Sequence, residues 1–186
     1  MKIGIIGIGM LGEAVVLNLL NSGYDVAVYN RTKEKTIEVE KKGAKVMDSP
    51  KTVAENVELV IIIVKDSIAV REVAFGENGI IESKNEKLIV ADMSTIDSIE
   101  SKNIANQFQQ NHIQKLEIPV MGGPNVAITG KLVMMASGPK DSFDQCKTIF
   151  EKIANKVFFL GEQGIANSIK LAMNLQITML ALSLSE

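Results

Sequence analysis

Short, almost unbroken aliphatic runs alternate along this chain with stretches whose apolar positions recur every third or fourth residue. Residues 2–8 are such a run, as expected of a parallel strand buried on both faces. Helical spacing follows at 10–21, a second strand at 25–29, and a helix at 33–42 that ends at Gly43, a residue suited to the position past a helix terminus. A short strand at 45–47 precedes Ser49, which caps a short helix with Pro50 in its first turn, running to about Asn56. Residues 59–64 (LVIIIV) are the clearest buried strand, followed by a helix at 67–75 and a strand at 88–91. Residues 96–110 show helical spacing through Ile99, Ile104, Ala105 and Phe108. Strands are expected at 116–120, 132–137 and 157–160, with a helix near 143–153 between the last two. Such alternation with short connections predicts an α/β fold: a doubly wound, mainly parallel sheet with helices on both faces.

The last stretch breaks the pattern. Residues 165–186 read as one long helix whose apolar positions, among them Ile169, Leu171, Ala172, Leu175, Ile177, Met179, Leu180, Leu182 and Leu184, spread beyond a single stripe. A helix apolar nearly all round needs cover, so a partner chain or a continuation of this one is expected against it. Asn174, Gln176, Thr178 and Ser183 interrupt its most apolar part, which argues against a membrane span.

Composition narrows the classes further. With 186 residues, 46% hydrophobic, 23% charged and a net charge of −2, the chain suits one sizeable core, or one domain plus an appendage. The near-neutral balance gives no reason to expect nucleic acid or a membrane surface as partner. Cys146 is the one cysteine and has no Cys/His neighbours at ligand spacing, so neither an internal disulfide nor a metal site is expected. His112, the one histidine, follows Gln109, Gln110 and Asn111 in a polar loop and is read as solvated. The opening residues lack a basic segment and a cleavage site, and a cytoplasmic setting is expected.

The candidate chemistry begins where the first strand meets the first helix. Gly7, Gly9 and Gly12 are spaced G-x-G-x-x-G. The first allows a tight turn, the second lets a pyrophosphate come against bare backbone, and the third lets helix and strand pack closely. The helix opens with Met10 and Leu11, and its unpaired N–H groups and partial positive charge suit phosphates. This predicts a Rossmann-type dinucleotide site. Residues ending the second strand separate NAD from NADP: an acid there binds the ribose 2′-hydroxyl and repels a 2′-phosphate. Here the strand ends in Asn30, Arg31 and Thr32, with no acid. Arg31 suits a phosphate clamp, and Thr32 either donates to that phosphate or caps the next helix. NADP is expected over NAD.

The chain resembles the β-hydroxyacid dehydrogenases, a group that includes 3-hydroxyisobutyrate dehydrogenase, the tartronate semialdehyde, succinic semialdehyde and glyoxylate reductases and, more distantly, 6-phosphogluconate dehydrogenase. Four ordered segments carry the resemblance: GIGMLGEAVVLNLLNSGYDVAVYNRT, ADMSTID at 91–97, IPVMGGPNVAITGKL at 118–132 and GEQGIANSIKLAMNL at 161–175. The resemblance implies hydride transfer between a nicotinamide and a small hydroxyacid or semialdehyde. It places the cofactor at the end of the strand bearing Val64 and Lys65, with Ser94 and Thr95 at its nicotinamide end or on the substrate. Thr95 has the second reading of a helix cap. It implies that Met121, Gly122 and Gly123 lie in a substrate loop, where the glycines either offer N–H groups to a carboxylate or form a plain turn. It also implies that Lys170 is the general acid/base.

Lys170 and Asn174 are four residues apart and so project from one helix face. Reduction of a carbonyl builds negative charge on oxygen, which an ammonium can protonate and an amide can hold. Oxidation asks Lys170 to act as a base, hence for a pKa lowered by burial. Several residues depart from the family pattern: Met121 stands for a carboxylate-binding serine, Pro124 removes an N–H, Val126 replaces a glycine, and Met173 replaces the first of two paired asparagines. The resemblance further implies a dinucleotide-binding domain over 1–161, with 162–186 opening a connecting helix into an all-helical domain absent from this chain. A homodimer or tetramer formed through those helices is expected. Two alternatives stand beside the dehydrogenase: an imine reductase on the same scaffold, and an NADP-binding module without catalysis.

Overall fold

The computed structural model describes residues 1–185. Nine strands and eight α-helices follow one another in it: β1 (Ile3–Ile6), α1 (Met10–Asn21), β2 (Val26–Tyr29), α2 (Ile37–Lys41), β3 (Lys45–Val46), α3 (Pro50–Glu55), β4 (Leu59–Ile62), α4 (Ser67–Phe75), β5 (Ile89–Asp92) and α5 (Ser98–Gln110) form the first part. The second part comprises β6 (Gln114–Glu117), β7 (Val120–Met121), α6 (Pro124–Ala127), β8 (Leu132–Ala136), α7 (Lys140–Ile153), β9 (Ala154–Phe159) and α8 (Ile165–Ser185). Six strands form one parallel sheet in the order β3-β2-β1-β4-β5-β6. The order reverses between β1 and β4, and the crevice at such a switch point is where this class of sheet binds ligands.

Strands β1 and β4 are fully buried, as their unalternating aliphatic sequences require, with a hydrophobic cluster on each face of the sheet. On one face α1 packs with α7 around Val15, Val16, Leu19, Phe143 and Phe150. On the other, α3, α4 and α5 close over Val53, Val70, Ile104 and Phe108. Ser49 caps α3 through a reciprocal capping box with Thr52.

Four local expectations need correction. The run 116–120 is two strands: Pro119 has no N–H to give a ladder, so the chain leaves the main sheet after Glu117 and pairs β7 antiparallel with β8 in a second, three-stranded sheet completed by β9. Residues 33–42 divide into a 3₁₀ turn (Lys33–Thr36) and α2. Residues 124–127, in the 118–132 segment that the resemblance makes a substrate loop, form α6, with Pro124 in its first turn. Finally, α5 is capped by Asp97, whose carboxylate accepts from the N–H groups of Ile99 and Glu100, and not by Thr95.

Helix α8 has 21 residues, and by length and composition alone it could cross a membrane. Its first turns instead enter the fold, burying Ala166, Asn167 and Lys170. Beyond them, Leu175, Ile177, Met179, Leu180, Leu182 and Leu184 are all exposed.

Candidate functional site

The loop after β1 is shaped by backbone contacts that admit no side chain. Gly7 has φ +104°, and a Cβ on it would stand 2.1 Å from the carbonyl oxygen of Ile63. A Cβ on Gly12 would stand 2.0 Å from the carbonyl oxygen of Gly7. Gly9 differs, since a Cβ there meets nothing within 4 Å. The space above Gly9 is therefore open, and no side chain caps the α1 terminus that starts there. The residues fit a dinucleotide: bare backbone and unpaired helix N–H groups at one point suit a pyrophosphate.

Asn30 holds this loop in place. Its Oδ1 accepts from the Ile8 N–H at 2.9 Å and its Nδ2 donates to the Thr32 carbonyl at 2.8 Å, so its side chain is spent on the backbone. A cleft of about 330 Å³ runs from Gly7 and Gly9 past Tyr29, Asn30, Arg31 and Thr32 to Val64, Lys65 and Glu72. Lys35 also lines it, a residue the sequence reading did not select, although its place one turn beyond Arg31 was visible. Met10 is 80% exposed and Leu11 is half-buried, and neither lines the cleft. Lys65 is exposed and paired with Asp66 at 3.2 Å, and Asp66 caps α4 through the Ala69 N–H.

A second cluster adjoins the Val64 end. Ser94 is buried, its Oγ accepting from the Val64 N–H at 3.1 Å, which ties the ends of β4 and β5 together. Thr95, half-buried, follows it. The Ile96 N–H donates to Oδ1 of buried Asn167 at 3.2 Å, which fastens the same segment to α8. One turn further along α8 is Lys170, 9% exposed, with Nζ 2.8 Å from the Met121 sulfur. Desolvation pushes the Lys170 pKa below the ordinary lysine value. Asn174, half-buried, sits one turn beyond. Gly122 and Gly123 follow Met121; Gly122 has φ +115° and Gly123 precedes the first turn of α6. The structure thus joins Lys170 to Met121 directly and, through Asn167 one turn earlier on α8, fastens that helix to the segment bearing Ser94 and Thr95, while Gly122 and Gly123 adjoin Met121 and Asn174 follows Lys170 along α8. None of them lines the 330 Å³ cleft, which meets this cluster through Val64.

A buried carboxylate fixes the start of α8, and sequence reading missed it. Glu117 Oε1 accepts from the Gly164 N–H at 2.8 Å, while Oε2 accepts from Ser137 Oγ at 2.8 Å and the Asn167 N–H at 3.2 Å. Negative charge at a helix N-terminus is favourable, and here it is shielded from water. Beside it Lys115 is buried 3.5 Å from Asp92 and donates to Ser101 Oγ at 2.9 Å. Burial pushes the Asp92 carboxyl up against the opposing pull of Lys115. The available signal was Lys115 and Glu117 on one face of a strand with apolar neighbours; their partners lie far away in sequence. Burial pushes the Cys146 thiol up to about 12, and His112 is exposed in a turn. No cluster of His, Cys, Asp and Glu suited to a metal occurs among the described residues.

Residues 2–161 match the family model described as the NAD binding domain of 6-phosphogluconate dehydrogenase. The chain is similar to an uncharacterized oxidoreductase of Bacillus subtilis, YfjR, at 33% identity over 100% of this chain and 65% of that one. It is 33% identical to glyoxylate/succinic semialdehyde reductase 1 of Arabidopsis thaliana over 94% of this chain and 61% of that one. A solved structure of Psf3 in complex with NADP+ and 2-OPP superposes with a TM-score of 0.90 at 26% identity, covering 98% of this chain and 68% of that one. The chain spans less than two thirds of the length of these two curated relatives.

Proposed function

The chain belongs to the family of the NAD binding domain of 6-phosphogluconate dehydrogenase, with 3-hydroxyisobutyrate dehydrogenase and glyoxylate/succinic semialdehyde reductase among its homologues, and from that premise we propose an NADP(H)-dependent oxidoreductase of small β-hydroxyacids or their semialdehydes. The observation that carries this reading is the placing of Lys170: a desolvated amine, fastened through α8 to the segment bearing Ser94 and facing the Met121–Gly123 loop.

In this reading the cofactor, when bound, supplies or takes the hydride. The open backbone at Gly9 and the first N–H groups of α1 hold its pyrophosphate. Arg31, Thr32 and Lys35 hold the 2′-phosphate. In reduction, Lys170 Nζ gives a proton to the carbonyl oxygen; in oxidation, the neutral amine takes the hydroxyl proton. The lowered pKa enlarges the neutral fraction that oxidation needs. Asn174 holds the same oxygen or its neighbour, and the Gly122 and Gly123 N–H groups receive the carboxylate. The exposed apolar length of α8 fits its being a connecting helix, covered by an all-helical domain that it leads into and by a second subunit of a dimer or tetramer. A cytoplasmic setting belongs to the same reading.

A second reading, an imine reductase, is favoured by Met121, because a thioether beside the lysine is a poor partner for a carboxylate. A panel of hydroxyacids, semialdehydes and cyclic imines, followed by NADPH absorbance on the full-length protein, separates the two. Turnover with none of them leaves the binding module. The cofactor preference has its own expected outcome: calorimetry gives NADPH an affinity at least about tenfold above NADH, about 1.4 kcal/mol. Equal affinities contradict it.

A further inference from the structure

The nucleotide cleft contains a charge opposed to the ligand proposed for it. Arg31, on the loop after β2, pairs through Nη1 with Oε2 of Glu72 on α4 at 3.4 Å. Both residues line the cleft, Arg31 from the loop after β2 and Glu72 from α4, and Glu77, just past the end of α4, lines it as well. The two side chains are 77% and 57% exposed, so the pair is held weakly and opens at little cost. Yet the guanidinium so engaged is the one group at the end of β2 able to receive a phosphate in two parallel hydrogen bonds.

We infer that Glu72 is a cofactor-selectivity residue: it competes with the 2′-phosphate for Arg31 and so moderates the preference for NADP(H) over NAD(H). This rests on the dinucleotide reading above. Strand β2 ends without the acid that would bind a ribose 2′-hydroxyl, and Glu72 brings an acid to the same pocket from another element, where it acts on the phosphate through Arg31. NADPH must separate the pair before Arg31 can clamp its phosphate. NADH carries no group that contends for the guanidinium and binds with the pair intact. Removing the Glu72 charge therefore frees Arg31 in advance, for the phosphorylated cofactor alone.

The test is titration of the protein and its Glu72→Gln variant with NADPH and with NADH, read by nicotinamide fluorescence at low salt, where exposed charges are least screened. The substitution lies at an exposed position, and an unchanged thermal midpoint verifies the fold. Glu72→Gln is expected to tighten NADPH roughly three- to fivefold, the scale of an exposed ion pair, and to leave NADH unchanged. In an Arg31→Ala background the same substitution is expected to gain nothing. Unchanged or weaker NADPH binding in Glu72→Gln overturns the inference, as does a gain that persists without Arg31 or that NADH shares. If the unaltered protein binds neither nucleotide, the dinucleotide reading itself fails; if it binds NADPH and the variant shows no gain, only the role of Glu72 falls.

Discussion

Lys170→Ala in the full-length protein is expected to lower turnover by about 10²–10⁴-fold, the range for loss of a general acid or base, with NADPH affinity nearly unchanged. The asymmetry follows from position. Lys170 belongs to the cluster around Met121 and does not line the cleft of Gly9 and Arg31, so its loss is expected to remove a proton carrier and no phosphate contact. Lys170→Met retains most of the buried volume and separates chemistry from packing. The pH dependence has a definite sign. Desolvation lowers the Lys170 pKa, so oxidation accelerates as pH rises through a value below that of a free lysine, and this limb disappears in Lys170→Met. Stability follows the same linkage: the buried ammonium opposes folding at neutral pH, and the penalty is relieved as pH rises from the folded to the unfolded pKa, where the unfolded chain binds more protons. Turnover retained in Lys170→Ala excludes the role.

The second large effect separates two glycines of one motif. Gly9→Ala is expected to fold normally, because its φ of −90° suits alanine and its Cβ meets nothing within 4 Å. The methyl instead occupies the space assigned to the pyrophosphate, and NADPH affinity drops at least about tenfold, or 1.4 kcal/mol. Gly12→Ala is expected to fail in the other way, since its Cβ would stand 2.0 Å from the Gly7 carbonyl oxygen. The helix must move off the strand, at a cost on the order of 3 kcal/mol in urea unfolding. Gly9→Ala binding NADPH as well as the unaltered protein contradicts the assignment of that space.

These glycines show what could be read from the chain. Their spacing between an aliphatic run and a helical pattern is local, and local patterns survive folding: β1, α1, β4 and α4 lie within about two residues of where the sequence places them. What could not be read depends on distant pairing. The carboxylate of Glu117 reaches Gly164, 47 residues on, and no local pattern announces that a charged residue in a strand will cap the last helix. Asn30 was legible as a neighbour of the cofactor, but the structure gives its side chain to the Ile8 N–H and the Thr32 carbonyl. Likewise Ser94 reads as a contact for the nicotinamide or substrate, while its Oγ accepts from the Val64 N–H. In each case residue type predicted a polar role, and tertiary contact decided whether the polar atom faces the ligand or the backbone. Lys170 is the opposite case: helical lysines are ordinarily solvated, and only the surrounding segment singled it out, whereas its burial is a property of the fold.

One NADPH molecule is expected to span both clusters, its phosphates at Gly9 and its reactive ring at Lys170. A crystal structure of the full-length protein with NADPH decides it. In that complex pyrophosphate oxygens are expected on the first N–H groups of α1, and the nicotinamide beyond Val64 with room for a single substrate oxygen between its ring and Lys170 Nζ. A nicotinamide lying elsewhere, or Lys170 turned out to solvent in that complex, contradicts it.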